Sequence, residues 1–216
     1  MVASRGLFIV FEGLDRSGKS TQCKLLLDFL QKCCSARIQR YPGKSEPTTG
    51  PKLDQFLKTA KSPYENAEEI HCLFAENRRV IDPHLRESIL SGETVIADRY
   101  SFSGIAYTAA KDVSLDFACK TELGLLKPDL VIYLNADPQA TSNRAGFGDE
   151  ALERADFQLK VYKQMKRLIN HNFWVEVDAL RSIEDVHNSI KSVVTELMSK
   201  SPPQLTSFEL SDFNMN

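Results

Sequence analysis

Short apolar runs punctuate the chain at residues 7–11, 36–41, 94–98, 129–134 and 173–178. The first, third and fourth are apolar on successive residues, the pattern of strands covered on both faces. Longer segments of helical period lie between them. Residues 19–32 carry Cys23, Leu26, Leu27 and Leu30 on one stripe. Leu152, Ala155, Leu159, Tyr162 and Ile169 mark a long helix, and residues 182–199 a final one. Asp82-Pro83 reads as an N-cap followed by proline at the first helical position, opening a helix to Ser91 before Gly92. Regular alternation of strand and helix predicts an α/β domain, a doubly wound five-stranded parallel sheet with right-handed crossovers. From Ser201 the chain begins Ser-Pro-Pro and loses periodicity. The expected organisation is one domain over residues 1–200 and an irregular tail over 201–216.

Composition narrows the class of partner. With 27 Lys plus Arg against 29 Asp plus Glu, the net charge is −2, so no overall basic footprint points to nucleic acid or an anionic membrane. No apolar run reaches the roughly 18–20 residues of a membrane span, and the first residues run straight into an apolar strand without a leader-like segment. The five cysteines lack zinc spacing, and Cys33-Cys34 is too close for an unstrained bridge. Free thiols in a reducing compartment are expected, which places the chain in the cytosol, or in the nucleus by diffusion.

The sharpest chemical signal is Gly13-Leu14-Asp15-Arg16-Ser17-Gly18-Lys19-Ser20, which fits G-x-x-x-x-G-K-[ST] at every fixed position. Its glycines permit a tight turn whose N–H groups face phosphate oxygens. Lys19 reaches toward β- and γ-phosphates, the Ser20 hydroxyl toward Mg²⁺, and the following helix presents its positive end to the same anion, Thr21 included. A second piece is Asp98-Arg99 at the end of a strand. Alone it reads equally as a structural pair; beside a phosphate loop, Asp98 is placed to hold Mg²⁺ through water and Arg99 to face the anionic crevice. A guanine-specific GTPase needs Asn/Thr-Lys-x-Asp after a late strand, whereas Leu126-Lys127-Pro128-Asp129 has Leu first and precedes its strand.

The loop's extension Glu12 to Gln22 is followed by Leu73-Phe74-Ala75-Glu76-Asn77-Arg78. Then come Asp98-Arg99-Tyr100-Ser101-Phe102-Ser103-Gly104-Ile105-Ala106-Tyr107, Gly124-Leu125-Leu126-Lys127-Pro128-Asp129-Leu130 and Gly146-Phe147-Gly148-Asp149-Glu150. In that order, from about residue 6 to 190, these motifs resemble the thymidylate kinases. The resemblance implies a P-loop nucleoside-monophosphate kinase with a short helical or loop lid at about 143–153, and transfer of the γ-phosphoryl of ATP to dTMP with Mg²⁺. It also implies formation of dTDP on the way to dTTP, and a homodimer.

On the same resemblance Phe74 stacks on the pyrimidine and Arg78 donates to its O4. Asp15 accepts from the 3′-hydroxyl, and Tyr107 beyond Gly104 closes on the deoxyribose. Arg99 and Lys44 hold the acceptor phosphate, Arg16 and Lys19 absorb charge on the migrating phosphoryl, and Arg144 covers the adenine. The residues alone also allow blander readings: a core Phe74 beneath a solvated Arg78, and Arg144 as a loop cation. Gly146-Phe147-Gly148 is too short for a dinucleotide fingerprint and reads as hinge glycines.

Three positions depart from the family pattern. Tyr41-Pro42-Gly43-Lys44 stands where relatives commonly have Phe-Pro-Glu-Arg, replacing a guanidinium fork by a point charge. Glu150-Ala151-Leu152-Glu153 stands where relatives with Arg in the phosphate loop often read Glu-Arg-Tyr-Glu. Arg79, a solvated helix charge on its own terms, stands where Trp is frequent. A monophosphate kinase with a shifted acceptor, dUMP or UMP, and a nucleotide-binding protein with little turnover are the alternatives.

Overall fold

A computed structural model describes residues 5–142, 152, 154–200 and 204–214. In chain order the elements are β1 (Phe8–Gly13), α1 (Lys19–Leu30), β2 (Ala36–Arg40), α2 (Gly50–Thr59), α3 (Ala67–Leu90), β3 (Thr94–Asp98) and α4 (Ser101–Ala109). They continue with α5 (Leu115–Thr121), β4 (Leu130–Asn135), α6 (Pro138–Ser142), α7 (Ala155–Leu168), β5 (Trp174–Asp178) and α8 (Ile183–Met198). The strands form one sheet in the order β2-β3-β1-β4-β5, parallel at every pairing.

The continuous apolar runs follow from helices on both sides of this sheet. Phe8 and Val10 of β1 enter one core, while Ile9 and Phe11 enter the other. Val95 and Ala97 of β3 face the first, and Ile96 the second. Successive residues point to opposite faces, so a strand covered twice must be apolar throughout. Among the described residues no helix is long and apolar enough to cross a membrane.

The helix expected to open at Asp82 does not begin there. α3 runs unbroken for 24 residues with Pro83 inside it. Asp82 is no cap: its carboxylate accepts from Leu126 N at 2.8 Å and from Arg86 Nε at 2.5 Å. Proline removes the bond to the carbonyl four residues back, that of Arg79, which lies on the exposed face. The helix expected from Leu152 starts at Ala155. Four shorter helices, α2, α4, α5 and α6, complete the described α-helices.

The aperiodic segment after residue 203 lies against the domain. Ser207 bridges Leu126, and Phe208 and Phe213 are buried, with ring centroids 5.4 and 5.8 Å from that of Phe102 on α4. Asp129 binds Phe8 N at 2.8 Å at the start of β1, the end of the strand opposite Gly13, so it has no place at the phosphate loop. Positioning of the site comes from the sheet: Phe11 of β1 is in register with Asp98 of β3, so the two loops that follow leave the same edge.

Candidate active site

The backbone of residues 13–18 curls because three positions adopt positive φ: Gly13 at 148°, Arg16 at 62° and Gly18 at 97°. Glycine takes such angles freely, whereas a residue with a Cβ is strained there by about 1–3 kcal/mol. A Cβ on Gly13 also meets Leu134 O and Ser17 Oγ at 2.8 Å each. The buried Lys19 ammonium folds back onto the loop, donating to the carbonyls of Gly13 at 3.1 Å and of Leu14. Burial, assisted by the nearby Arg99 charge, lowers its pKa to about 8, although Asp15, Asp98 and Glu12 pull upward. Ser20 Oγ, in the first turn of α1, donates to Asp98 Oδ2 at 2.6 Å. Asp15, Arg16, Gly18, Lys19, Ser20, Thr21, Arg40, Tyr41, Asp98 and Arg99 surround the resulting cavity.

Arg99 also sits in left-handed backbone, at φ 68°. Its N–H donates to Phe11 O at 3.0 Å, and its guanidinium reaches Asp15, Ser103 Oγ at 3.0 Å and Gly13 O at 3.3 Å. Burial opposes this charge, but Tyr107, Asp15, Glu12 and Asp98 outweigh it and keep the group protonated. Glu12, fully buried, holds the turn from beneath. Its Oε1 accepts from Tyr100 N and Ser103 N at 3.0 Å each, and Oε2 accepts from the Ser103 hydroxyl. Burial raises its pKa, while the Ser103 bonds and Arg99 act in the opposite sense.

Asp15 is the hub between this loop and a second cavity. Besides Arg99 it accepts from Tyr107 OH at 2.6 Å and from Gln158 Nε2 at 2.9 Å. Burial pushes its carboxyl up, yet Arg99, Lys19 and these two donors more than reverse that, leaving it below its ordinary value. The second cavity, lined by Phe74, Arg78, Gly104, Tyr107, His71, Lys111 and Leu152 among others, holds about 150 Å³. A cavity of that order takes up a six-membered ring such as benzene. Asp15, Tyr41 and Arg99 line both cavities.

Phe74 and Arg78 share one face of α3, as four-residue spacing requires. Arg78 is not solvated: it is 2% exposed and paired with the fully buried Glu122 of the α5 C-cap. Nε donates to Glu122 Oε2 at 2.8 Å and Nη2 to Oε1. Two of the five N–H donors are thereby used, leaving both on Nη1 and the second on Nη2. Gly104 packs on the guanidinium, and a Cβ there meets Nη2 at 2.7 Å. Burial lowers the His71 pKa, and its ring bonds Thr108 Oγ1 at 2.8 Å and Thr121 Oγ1 at 2.5 Å, tying α3 to α4 and α5.

Other residues singled out in sequence lie elsewhere. Lys44 pairs with Asp54 at 2.8 Å and lines neither cavity. Arg79 is more than a solvated charge, since it donates to the carbonyls of Thr121 and Leu123 at the C-terminal end of α5. Arg144, Ala151, Gly146-Phe147-Gly148 and all of the expected lid except Leu152 lie outside the described residues. Glu12, Glu122 and Gln158 carry the site without having been assigned roles from sequence. Gln158 and Glu122 have no local signature, whereas Glu12 immediately precedes the phosphate-loop motif and was open to a role.

Comparison with known proteins follows the same pattern. Residues 11–190 match the family model described as thymidylate kinase. Thymidylate kinase of Schizosaccharomyces pombe is 40% identical over 201 residues, 90% of this chain and 94% of that protein. The human enzyme is 39% identical over 198 residues, covering 88% and 91%. The solved structure of thymidylate kinase from Candida albicans superimposes with a TM-score of 0.85 at 28% identity, over 95% of this chain and 99% of that one.

Proposed function

Because the chain belongs to the thymidylate kinase family and is a phosphotransferase that uses ATP to convert dTMP to dTDP, we propose how its residues divide that work. The observation that carries the assignment is the pair of cavities meeting at Asp15, Tyr41 and Arg99. One has the phosphate loop as its wall; the other has room for a six-membered ring, with Phe74 and Arg78 among its lining residues.

The triphosphate rests on the N–H groups of Gly13, Leu14, Asp15, Arg16, Ser17, Gly18, Lys19, Ser20 and Thr21, with Lys19 leaving its loop carbonyls for phosphate oxygens. Arg144 covers the adenine. The base lies on Phe74 with O4 toward Arg78, whose donor-only head matches thymine and leaves cytosine's amino group unpaired. Tyr107, its phenol kept protonated by burial and by Asp15, lines the deoxyribose end with Gly104, and Asp15 accepts from the 3′-hydroxyl. Arg99 holds the acceptor phosphate. Its oxygen is already anionic and needs no general base, so the chain's task is alignment and charge compensation by Arg16, Lys19 and Arg99. The bond to the γ-phosphorus forms as the bridging bond to the β-phosphate breaks, with ADP leaving.

Ser20 and Asp98 offer a hydroxyl and a carboxylate side by side, a hard-oxygen pair that fits Mg²⁺, an ion that takes few protein ligands beside phosphate and water. When bound, that ion neutralises charge on the β- and γ-phosphates. The expected homodimer and a reducing cytosolic or nuclear setting belong to the same proposal; the five unpaired thiols support the latter.

Release of ADP measured against dTMP, dUMP, UMP, CMP and AMP tests the reading. dTMP should be preferred, with dUMP poorer by no more than the roughly 1–3 kcal/mol of a missing methyl. Comparable kcat/KM for CMP and dTMP overturns the assignment of Arg78.

A further inference from the structure

Four cations surround the phosphate-loop cavity: Arg16, Lys19, Arg40 and Arg99. Lys19 is engaged by loop carbonyls, and Arg99 by Asp15 and Ser103. Arg40 differs. Among the described residues its guanidinium has neither a hydrogen bond nor an ion pair, although Asp98 is its register partner across the β2–β3 ladder. Arg40 ends β2 and immediately precedes Tyr41, one of the three residues common to both cavities. Tyr41 N is fixed to Asp98 O at 3.1 Å, so the end of β2 is tied to the strand that carries Arg99.

In-line transfer requires the acceptor phosphate to stand where the two cavities meet, beside Arg99 and Tyr41, and Arg40, next to Tyr41 in the chain, lines the phosphate-loop cavity from the β2 side. Lys44, to which the family resemblance gives the second phosphate contact, is turned onto Asp54 instead. We propose that Arg40 binds the phosphate of the acceptor nucleotide, supplying the guanidinium fork that position 44 lacks. A planar fork with unused donors can take two phosphate oxygens at once, which the Lys44 ammonium cannot. The inference rests on the acceptor being a nucleoside monophosphate.

Calorimetric titration with dTMP, with thymidine and with the β,γ-imido analogue of ATP separates the possibilities. Arg40→Gln should weaken dTMP about 10-fold or more, the scale of hydrogen bonds to a charged group. Thymidine, which has no phosphate, and the ATP analogue should bind as to the parent chain. Arg40→Lys should recover part of the loss, and Lys44→Gln should change dTMP affinity by less than Arg40→Gln does. Unchanged dTMP binding by Arg40→Gln overturns the proposal. So does an equal loss for thymidine and dTMP, which marks a structural role, or a loss confined to the ATP analogue, which places Arg40 on the donor. If the parent chain turns over dTMP while Arg40→Gln is silent, only this inference falls; if the parent fails to turn over dTMP, the functional reading beneath it falls.

Discussion

Replacing Glu122 by Leu removes the counter-charge of a guanidinium that is almost wholly buried. Arg78 is 2% exposed and Glu122 fully buried. Breaking such a pair from one side costs about 3–5 kcal/mol, because the remaining charge stays buried and unpaired. A chain of this size loses roughly 2–4 °C of melting temperature per kcal/mol, so Glu122→Leu should melt about 6–20 °C lower. Arg78→Met, which leaves a buried carboxylate, should cost a similar amount. The double variant Arg78→Met/Glu122→Leu replaces both charges by apolar groups and should recover most of the stability, giving a large favourable coupling in the double-mutant cycle. It should not recover function. Loss of the Nη1 donors should raise the KM for dTMP about 10–100-fold, the scale of hydrogen bonds from a charged group, while the KM for ATP stays put. Denaturant unfolding and steady-state kinetics on the three variants decide the matter. If Glu122→Leu costs less than about 1 kcal/mol, the pair is not the internal neutralisation described. If the stable double variant binds dTMP normally, Arg78 does not touch the base.

Gly104→Ala places a methyl 2.7 Å from Arg78 Nη2, and because Glu122 restrains that guanidinium the KM for dTMP should rise and the melting temperature should fall; no change in either shows that the arginine gives way freely. Arg16→Gly keeps the loop intact, since glycine accepts the positive φ of 62°, so single-turnover chemistry should slow by about 10³ or more while affinity for the β,γ-imido analogue of ATP survives. Near-normal chemistry moves the catalytic cation elsewhere. Lys19 has its pKa lowered to about 8 in the free enzyme, so at pH 8.5 it is mostly neutral and the arriving phosphates restore its charge. ATP binding at that pH should take up roughly three quarters of a proton, read from calorimetric enthalpies in buffers of different ionisation heat. Absence of uptake means that Lys19 is already charged. The same shift gives the stability sign: the charged form is disfavoured in the fold, so its cost is present below pH 8 and relieved as pH rises toward the ordinary 10.5.

The phosphate loop was legible because its chemistry is local, with glycines, Lys19 and Ser20 all within one turn. The sheet was legible because strands buried on two faces must be apolar throughout. Asp82-Pro83 misled for the opposite reason. It carries a helix-start signal, but the carboxylate is claimed by Leu126 and Arg86, which no window around residue 82 contains. Arg78 shows the same limit: its face on α3 followed from spacing, whereas its burial depends on Glu122, 44 residues away. Gln158 acts only because α7 brings it to Asp15 across 143 residues. Lys44 and Arg40 are two cations four residues apart that the sequence ranks by resemblance alone, and only the side-chain partners separate them.

Glu12 makes the interval between the phosphate loop and Arg99 a dimension of the sheet rather than of its loops. One carboxylate on β1 takes up both N–H groups and the hydroxyl at the start of α4, and the strands beneath are locked in register. An insertion or deletion between Asp98 and Ser103 shifts Arg99 by a whole residue, several ångströms, and no side chain is left to take up the slack. Among the described residues, the segment between α2 and α3, residues 60–66, has no buried carboxylate holding its backbone in this way. Length variation in this lineage should therefore collect there and be absent from those six positions.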